Sequence, residues 1–239
     1  MPKQHNLPSA WEKHVAMRDD GLSEFQHWRK PYILRLLDIL SLNRNHKAPG
    51  HQELLDRYID RLPNVVKDNY GNRFVTVGSK PSVMFTSHCD TMSRDTKSIR
   101  HPLCYNRTND VIFRRNGEPL GADDGTGVWL MLEMIDSGVP GLYAFFMDEE
   151  TGRQGSEWSD LNDEDRYDNV AICISFDRKG TNDIVGTQAG SVCCSDDFQT
   201  ALRDLIKANS SIQPITKAIG SFTDSASFME TIPECTNLC

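Results

Sequence analysis

The chain has 239 residues, 38% of them hydrophobic and 25% charged, and a formal net charge of −8 at pH 7; this suits one soluble globular unit with a substantial core. The acidic balance leaves no basic face to neutralise phosphate, so nucleic-acid backbones and anionic membrane surfaces are excluded as partners. No apolar run reaches the ~18 residues that a membrane-spanning helix needs.

Residues 1–23 open with MPKQHNLPSAWEKH, which has no apolar leader core and no clear period, so this segment is expected to be loosely held. Ile33, Leu34, Leu36, Leu37 and Leu40 fall at helical spacing after Pro31, which predicts a first amphipathic helix. A loop is expected at APGHQ. A second helix is expected over Leu54, Leu55, Tyr58, Ile59 and Leu62, stopped by Pro63. NVVKDNYGNRFVTVG reads as two strands joined by a turn near Asn69 to Asn72.

Ser82 to Thr86 is predicted as a buried strand, and Cys104 to Arg115 as a strand pair. Val128 to Ile135 reads as an apolar helix ending near Gly138 and Pro140. Leu142 to Met147 and Val170 to Phe176 have the apolar, β-branched and aromatic content of strands buried on both faces. Asp196 to Ala208 is predicted as a helix capped by Ser195. Strands alternating with helices imply a three-layer α/β/α fold around a mixed, mostly parallel central sheet.

Polar residues with chemical potential follow the ends of the apolar strands. Val-Met-Phe-Thr-Ser runs into His88-Cys89-Asp90, Leu-Tyr-Ala-Phe-Phe-Met into Asp148-Glu149-Glu150, and Val-Ala-Ile-Cys-Ile-Ser-Phe into Asp177. In an open α/β sheet ligands collect beyond the carboxyl ends of the strands. Gly121-Ala122-Asp123-Asp124-Gly125 adds acids at the start of a helix. Several carboxylates and an imidazole in one cleft would repel and protonate unless a divalent cation lay among them. That ligand chemistry suits zinc, and also cobalt or manganese. In His88-x-Asp90 the alternation of side chains lets Asp90 orient the imidazole while Cys89 points away.

The remaining candidates are assigned blander roles. His101, His51, His46, His27, His14 and His5 are read as surface residues, and Trp129, Met131 and Met134 as core. Asp224 either lines a cleft or caps a helix. The seven cysteines, Cys89, Cys104, Cys173, Cys193, Cys194, Cys235 and Cys239, form no CxxC pair, and the odd count fits free thiols in a reducing cytoplasm.

The order SHCDT, GADDGTG, MDEETG, SFD, running from about Val83 to Asp177 and resuming at Phe222 to Ser225 and Ile232-Pro233, resembles the co-catalytic di-zinc aminopeptidase and carboxypeptidase superfamily. Peptidase T, glutamate carboxypeptidase and bacterial leucyl aminopeptidases belong to it. The resemblance implies a cytoplasmic, zinc-dependent exopeptidase-like hydrolase that cleaves an amide bond in a small peptide. It implies that His88 and Asp177 bind one metal, Asp123 bridges two, Glu150 binds the second, and Glu149 is the general base toward a metal-bound water. It also implies a cis peptide between Asp123 and Asp124. The alternatives are an N-acyl amino acid deacylase or related amidohydrolase, and an inactive binding relative.

The family's final histidine ligand has no counterpart, since no histidine follows His101. The second metal set is therefore one ligand short, and the chain is expected to lack a C-terminal segment of the family pattern. The stretch from Asp177 to Thr223 has room for a strand, a helix and a loop, which implies one catalytic domain over 24–239 without a separate lid. Oligomeric state, native metal and side-chain specificity are not implied.

Overall fold

A computed structural model describes residues 31–106 and 108–239; the expected loose segment 1–23 lies outside the described residues. Helix α1 spans Pro31–Ser41. Helix α2 spans Pro49–Leu54 and continues with π-helical hydrogen bonding over Leu55–Ile59. The second helix thus begins within the stretch expected to be a loop: Pro49 sits at its first turn, where a missing N–H costs nothing. Strands β1 (Val66–Lys67) and β2 (Arg73–Val77) form the predicted turn-linked pair.

Next come β3 (Val83–His88), the hairpin β4 (Leu103–Asn106) and β5 (Val111–Arg114), helix α3 (Ala122–Asp136) and β6 (Gly141–Phe146). Helix α4 (Gln154–Asn162) leads to β7 (Ile172–Ser175). The chain then forms β8 (Asp183–Gln188), β9 (Ser191–Val192), α5 (Asp196–Asn209), β10 (Ile215–Gly220), a 3-10 turn at Asp224–Phe228 and β11 (Glu234–Asn237).

The main sheet has the order β1-β2-β6-β3-β7-β11. Its first two pairings are antiparallel and the remaining three are parallel. Strand β6 is buried along its whole length, as a central strand covered on both faces must be. Its alternation separates two cores. Tyr143 and Phe145 point into one with Ile39 and Leu42 around α1, Leu54 and Ile59 of α2, and Val128, Met131 and Leu132 of α3. Leu142, Ala144 and Phe146 point into the other with Tyr167, Val170, Val185 and Phe228. The sheet is therefore the middle layer.

The second face differs from a plain helical layer. A small sheet of order β10-β8-β9 contributes to its cover, with Val185 of β8 inside the second core. Helix α5 packs against β8 and β10. Its Ser195 cap accepts the Phe198 N–H at 3.1 Å, as predicted. Met131 is fully buried and Trp129 and Met134 pack against the first core. His101, expected at the surface, is buried instead, with Nδ1 2.9 Å from the Asn116 amide nitrogen. Among the described residues no helix is long and apolar enough to cross a membrane.

Candidate metal centre

Three neighbouring parallel strands, β6, β3 and β7, end at one edge of the sheet. The register sets His88 level with Phe146, immediately before the acidic loop Asp148–Glu150, and Thr86 level with Ser175, two residues before Asp177. Parallel pairing thus carries an imidazole and two sets of carboxylates to the same level. Asp123 arrives from the first turn of α3, behind Gly121 at φ 76° and ahead of a cis Asp123–Asp124 bond.

His88 is at the centre. Its Nε2 lies 2.9 Å from Asp123 Oδ1, 3.8 Å from Asp177 Oδ1 and 4.0 Å from Glu149 Oε2. One ligand atom each from His88, Asp123 and Asp177 all fall within 4.8 Å of one another. His88 and Asp177 are shielded while Asp123 is open to solvent. Glu150 stands on the same loop, but its Oε1 accepts the Met92 N–H at 3.0 Å and it lies outside this three-residue group.

Asp90 is fully buried beneath the cluster. His88 Nδ1 is 3.2 Å from its main-chain oxygen and 3.4 Å from Oδ1. Its two carboxylate oxygens also accept the main-chain N–H groups of Glu149 and Glu150, each at 3.1 Å. Asp90 therefore orients the histidine and pins the acidic loop. Burial raises its carboxyl, but the His88 ring and the two N–H donors more than offset this and hold it below the ordinary aspartate value.

The protonation balance follows from crowding. Burial disfavours a charged His88, yet Asp123, Asp177 and Asp90 outweigh it and raise its pKa well above the usual value. Burial pushes Glu149 up to about 8, helped by Asp224 and Asp177. Burial also raises Asp177 and Glu150. Asp123 is held low, first by its hydrogen bond to His88. Glu149, Glu150 and Asp177 thus resist ionisation while His88 resists neutrality, a balance that a positive charge among them would reverse.

Two further residues bear on the site: Asp224, whose role the sequence left open between lining a cleft and capping a helix, and Asn237, which the sequence did not single out. Asp224 is buried, with Oδ1 unpartnered among the described residues, and its carboxyl is pushed up to about 7 mainly by burial. Asn237 accepts the Asp177 N–H at 3.0 Å and donates back to the Asp177 carbonyl, fixing that strand end. Asp224 fell in a TD pair with a visible signal; Asn237 acts through main chain and has none.

No family model matches the chain. No curated protein matches it. Solved structures do. PhTET1-12s, a dodecamer of a Pyrococcus horikoshii TET1 peptidase, superposes with a TM-score of 0.59 at 15% identity, covering 85% of this chain and 88% of that one. The LapA aminopeptidase of Legionella pneumophila gives 0.56 at 18% identity, over 98% of this chain and 66% of its own. The aminopeptidase APDkam598 from the archaeon Desulfurococcus kamchatkensis gives 0.55 at 12% identity, over 88% and 87%. The chain shares the fold of these peptidases.

Proposed function

We propose that this chain, with a fold it shares with peptidases, is a metal-dependent hydrolase that cleaves an amide bond as an aminopeptidase or small-peptide peptidase. The observation that carries the reading is the approach of His88 Nε2 to Asp123 and Asp177 within one 4.8 Å group. One imidazole nitrogen and two carboxylate oxygens fit a divalent ion such as zinc, with cobalt or manganese as substitutes. His88, Asp123 and Asp177 would hold one ion, and Asp123 with Glu150 would contribute to a second. A bound ion would supply Lewis acidity, polarising the scissile carbonyl and acidifying water.

The chain's own groups do the rest. A proton on His88 Nδ1, donated to the Asp90 main-chain oxygen, leaves the Nε2 lone pair facing the cluster. Glu149, with a carboxyl near 8, is in the range where one group can accept a proton and return it near neutral pH. It takes the proton from water and delivers it to the leaving amine. Asp90 keeps Glu149 in place through the main chain. The seven cysteines, all free thiols, suit a reducing cytoplasm.

The test is turnover of a panel of aminoacyl, N-acyl amino acid and short-peptide substrates with zinc, cobalt or manganese added. Cleavage of free-amino substrates is expected; cleavage of N-acyl substrates alone would move the reading to a deacylase. Glu149→Gln should lower kcat by at least about 100-fold, the scale of a general base, while metal content measured by mass spectrometry stays intact. Full activity in that variant would sink the assigned base.

A further inference from the structure

Arg44 lies in the loop after α1, far in sequence from every residue of the centre, and is fully buried. Its partners are main-chain carbonyls. Nη1 donates to the oxygens of Cys89 at 2.9 Å and Asp90 at 3.3 Å, and Nη2 donates to the oxygen of Gly121. The first two belong to the segment that carries His88 and Asp90. The third belongs to the turn that leads into Asp123. A planar guanidinium presents donors on separate nitrogens in a fixed fork and so can hold two such segments at a set spacing; an ammonium offers its three donors from one atom on a flexible stem.

The glycines of GADDGTG are fitted to this side chain. A Cβ on Gly125 would lie 2.6 Å from Arg44 Nη2, and one on Gly121 would lie 3.1 Å from it. The guanidinium fills the room at Gly125 and shares that at Gly121 with Arg114, whose Nη2 would lie 3.3 Å from a Cβ there. Burial pulls its pKa below the ordinary arginine value, and the nearby field of Asp124, Asp90 and Asp123 counters this only in part; among the described residues its hydrogen bonds go to main-chain carbonyls, while Nε has no partner.

We propose that Arg44 is a positioning residue of the candidate centre: its guanidinium clamps the Cys89–Asp90 main chain to Gly121 and so sets the spacing at which His88 and Asp123 present their donor atoms. The clamp itself is independent of any cation. Its consequence for metal affinity rests on the metal-dependent reading above.

Arg114 is the natural control. It is also buried, but its Nη2 donates to the Leu40 and Leu42 oxygens at 2.8 and 2.7 Å, so its hydrogen bonds do not join the two segments. The experiment compares Arg44→Met, Arg44→Lys and Arg114→Met with the parent. Amide hydrogen exchange is read on the metal-free proteins, zinc affinity by chelator competition, and global stability by urea. Arg44→Met should speed exchange at residues 89–91 and 121–124 ahead of global unfolding. It should weaken zinc binding by about 10- to 100-fold, the range for residues that orient ligands. Arg44→Lys keeps the charge but gives up the fixed two-nitrogen fork, so it should show the same direction of change and serves if the Met variant does not fold. Arg114→Met should lose stability with zinc affinity of the folded protein kept within about threefold.

Unchanged exchange in both segments of an Arg44 variant would overturn the clamp, as would an equal loss of affinity in Arg114→Met. Full rescue by lysine would reduce the role to charge alone and overturn it too. If the parent itself binds no zinc, cobalt or manganese, the metal-dependent reading falls while the exchange data still decide on the clamp.

Discussion

The carboxylate of Asp90 engages the His88 ring and two main-chain N–H donors at once, so its chemistry is more constrained than its shape. Asp90→Asn preserves the shape but turns one acceptor into an NH2 group that must face an N–H or the imidazole. The expected result is a 10- to 100-fold loss of metal affinity with global stability less affected; parent-like affinity would show that shape alone suffices. Asp224 makes a separate, pH-dependent prediction for the metal-free protein. Burial holds its folded carboxyl protonated up to about 7, against 3.8 for an ordinary aspartate. The folded state binds more protons between those limits, so this group makes stability fall as pH rises through that window. Asp224→Asn never ionises, so its urea stability relative to the parent should be more favourable at pH 8 than at pH 4. An equal difference at both would refute the buried-carboxyl account. At this scale the meeting of His88, Asp123 and Asp177 was legible, because His88 and Asp177 follow apolar runs and Asp123 opens the segment that leads into the next one. Arg44 was not, because it sits among polar loop residues and works through main-chain oxygens that leave no trace in side-chain patterns.

Helix α4 begins where the acidic loop ends, and its first turn touches that loop. A Cβ on Gly155 would lie 2.3 Å from the Met147 oxygen and 2.5 Å from Asn72 Oδ1. Asn72 in turn accepts the Met147 N–H at 3.0 Å and donates to the Gly155 carbonyl at 2.9 Å. Gly155→Ala should therefore push the loop bearing Glu149 and Glu150 and destabilise the fold by roughly 1–3 kcal/mol, the cost of overpacking, read as a lower urea midpoint together with weaker metal binding. Helix α5 offers a contrast. Ser195→Ala removes its side-chain cap and should cost about 1 kcal/mol, with zinc affinity unchanged. The long apolar runs of β3, β6 and β7 announced themselves in the sequence. The strands β8, β9 and β10 did not. β10 (Ile-Thr-Lys-Ala-Ile-Gly) has both its isoleucines on the exposed side and no apolar alternation, and β9 is only two residues long, so neither offers a run or a period to read. Helix α4, with its Gly, Ser and Asn content, likewise has little helical signal of its own.

The architecture as a whole was readable as a layered α/β sheet because the pattern of alternating strands and helices leaves few alternatives. Strand order was not, since parallel neighbours are joined by crossovers and no local turn specifies which strand inserts between which. The whole-molecule prediction concerns linkage. A cation that binds only the folded chain stabilises it by about 2.7 kcal/mol at a hundredfold excess over Kd. Zinc should thus raise the urea midpoint of the parent, and Asp123→Ala should lose the effect together with the bound metal. A zinc-insensitive parent would refute the metal centre as proposed.

Thr86 and Ser175 share a buried hydroxyl contact at 2.7 Å across 89 positions of chain, and the strands that carry them hold His88 and Asp177 side by side. No short local segment of this protein therefore holds both donors. If the proposed centre holds a cation, the full His88–Asp123–Asp177 set forms only once β7 has docked on β3, so zinc affinity above that of the unfolded chain's thiols and imidazoles would report sheet closure.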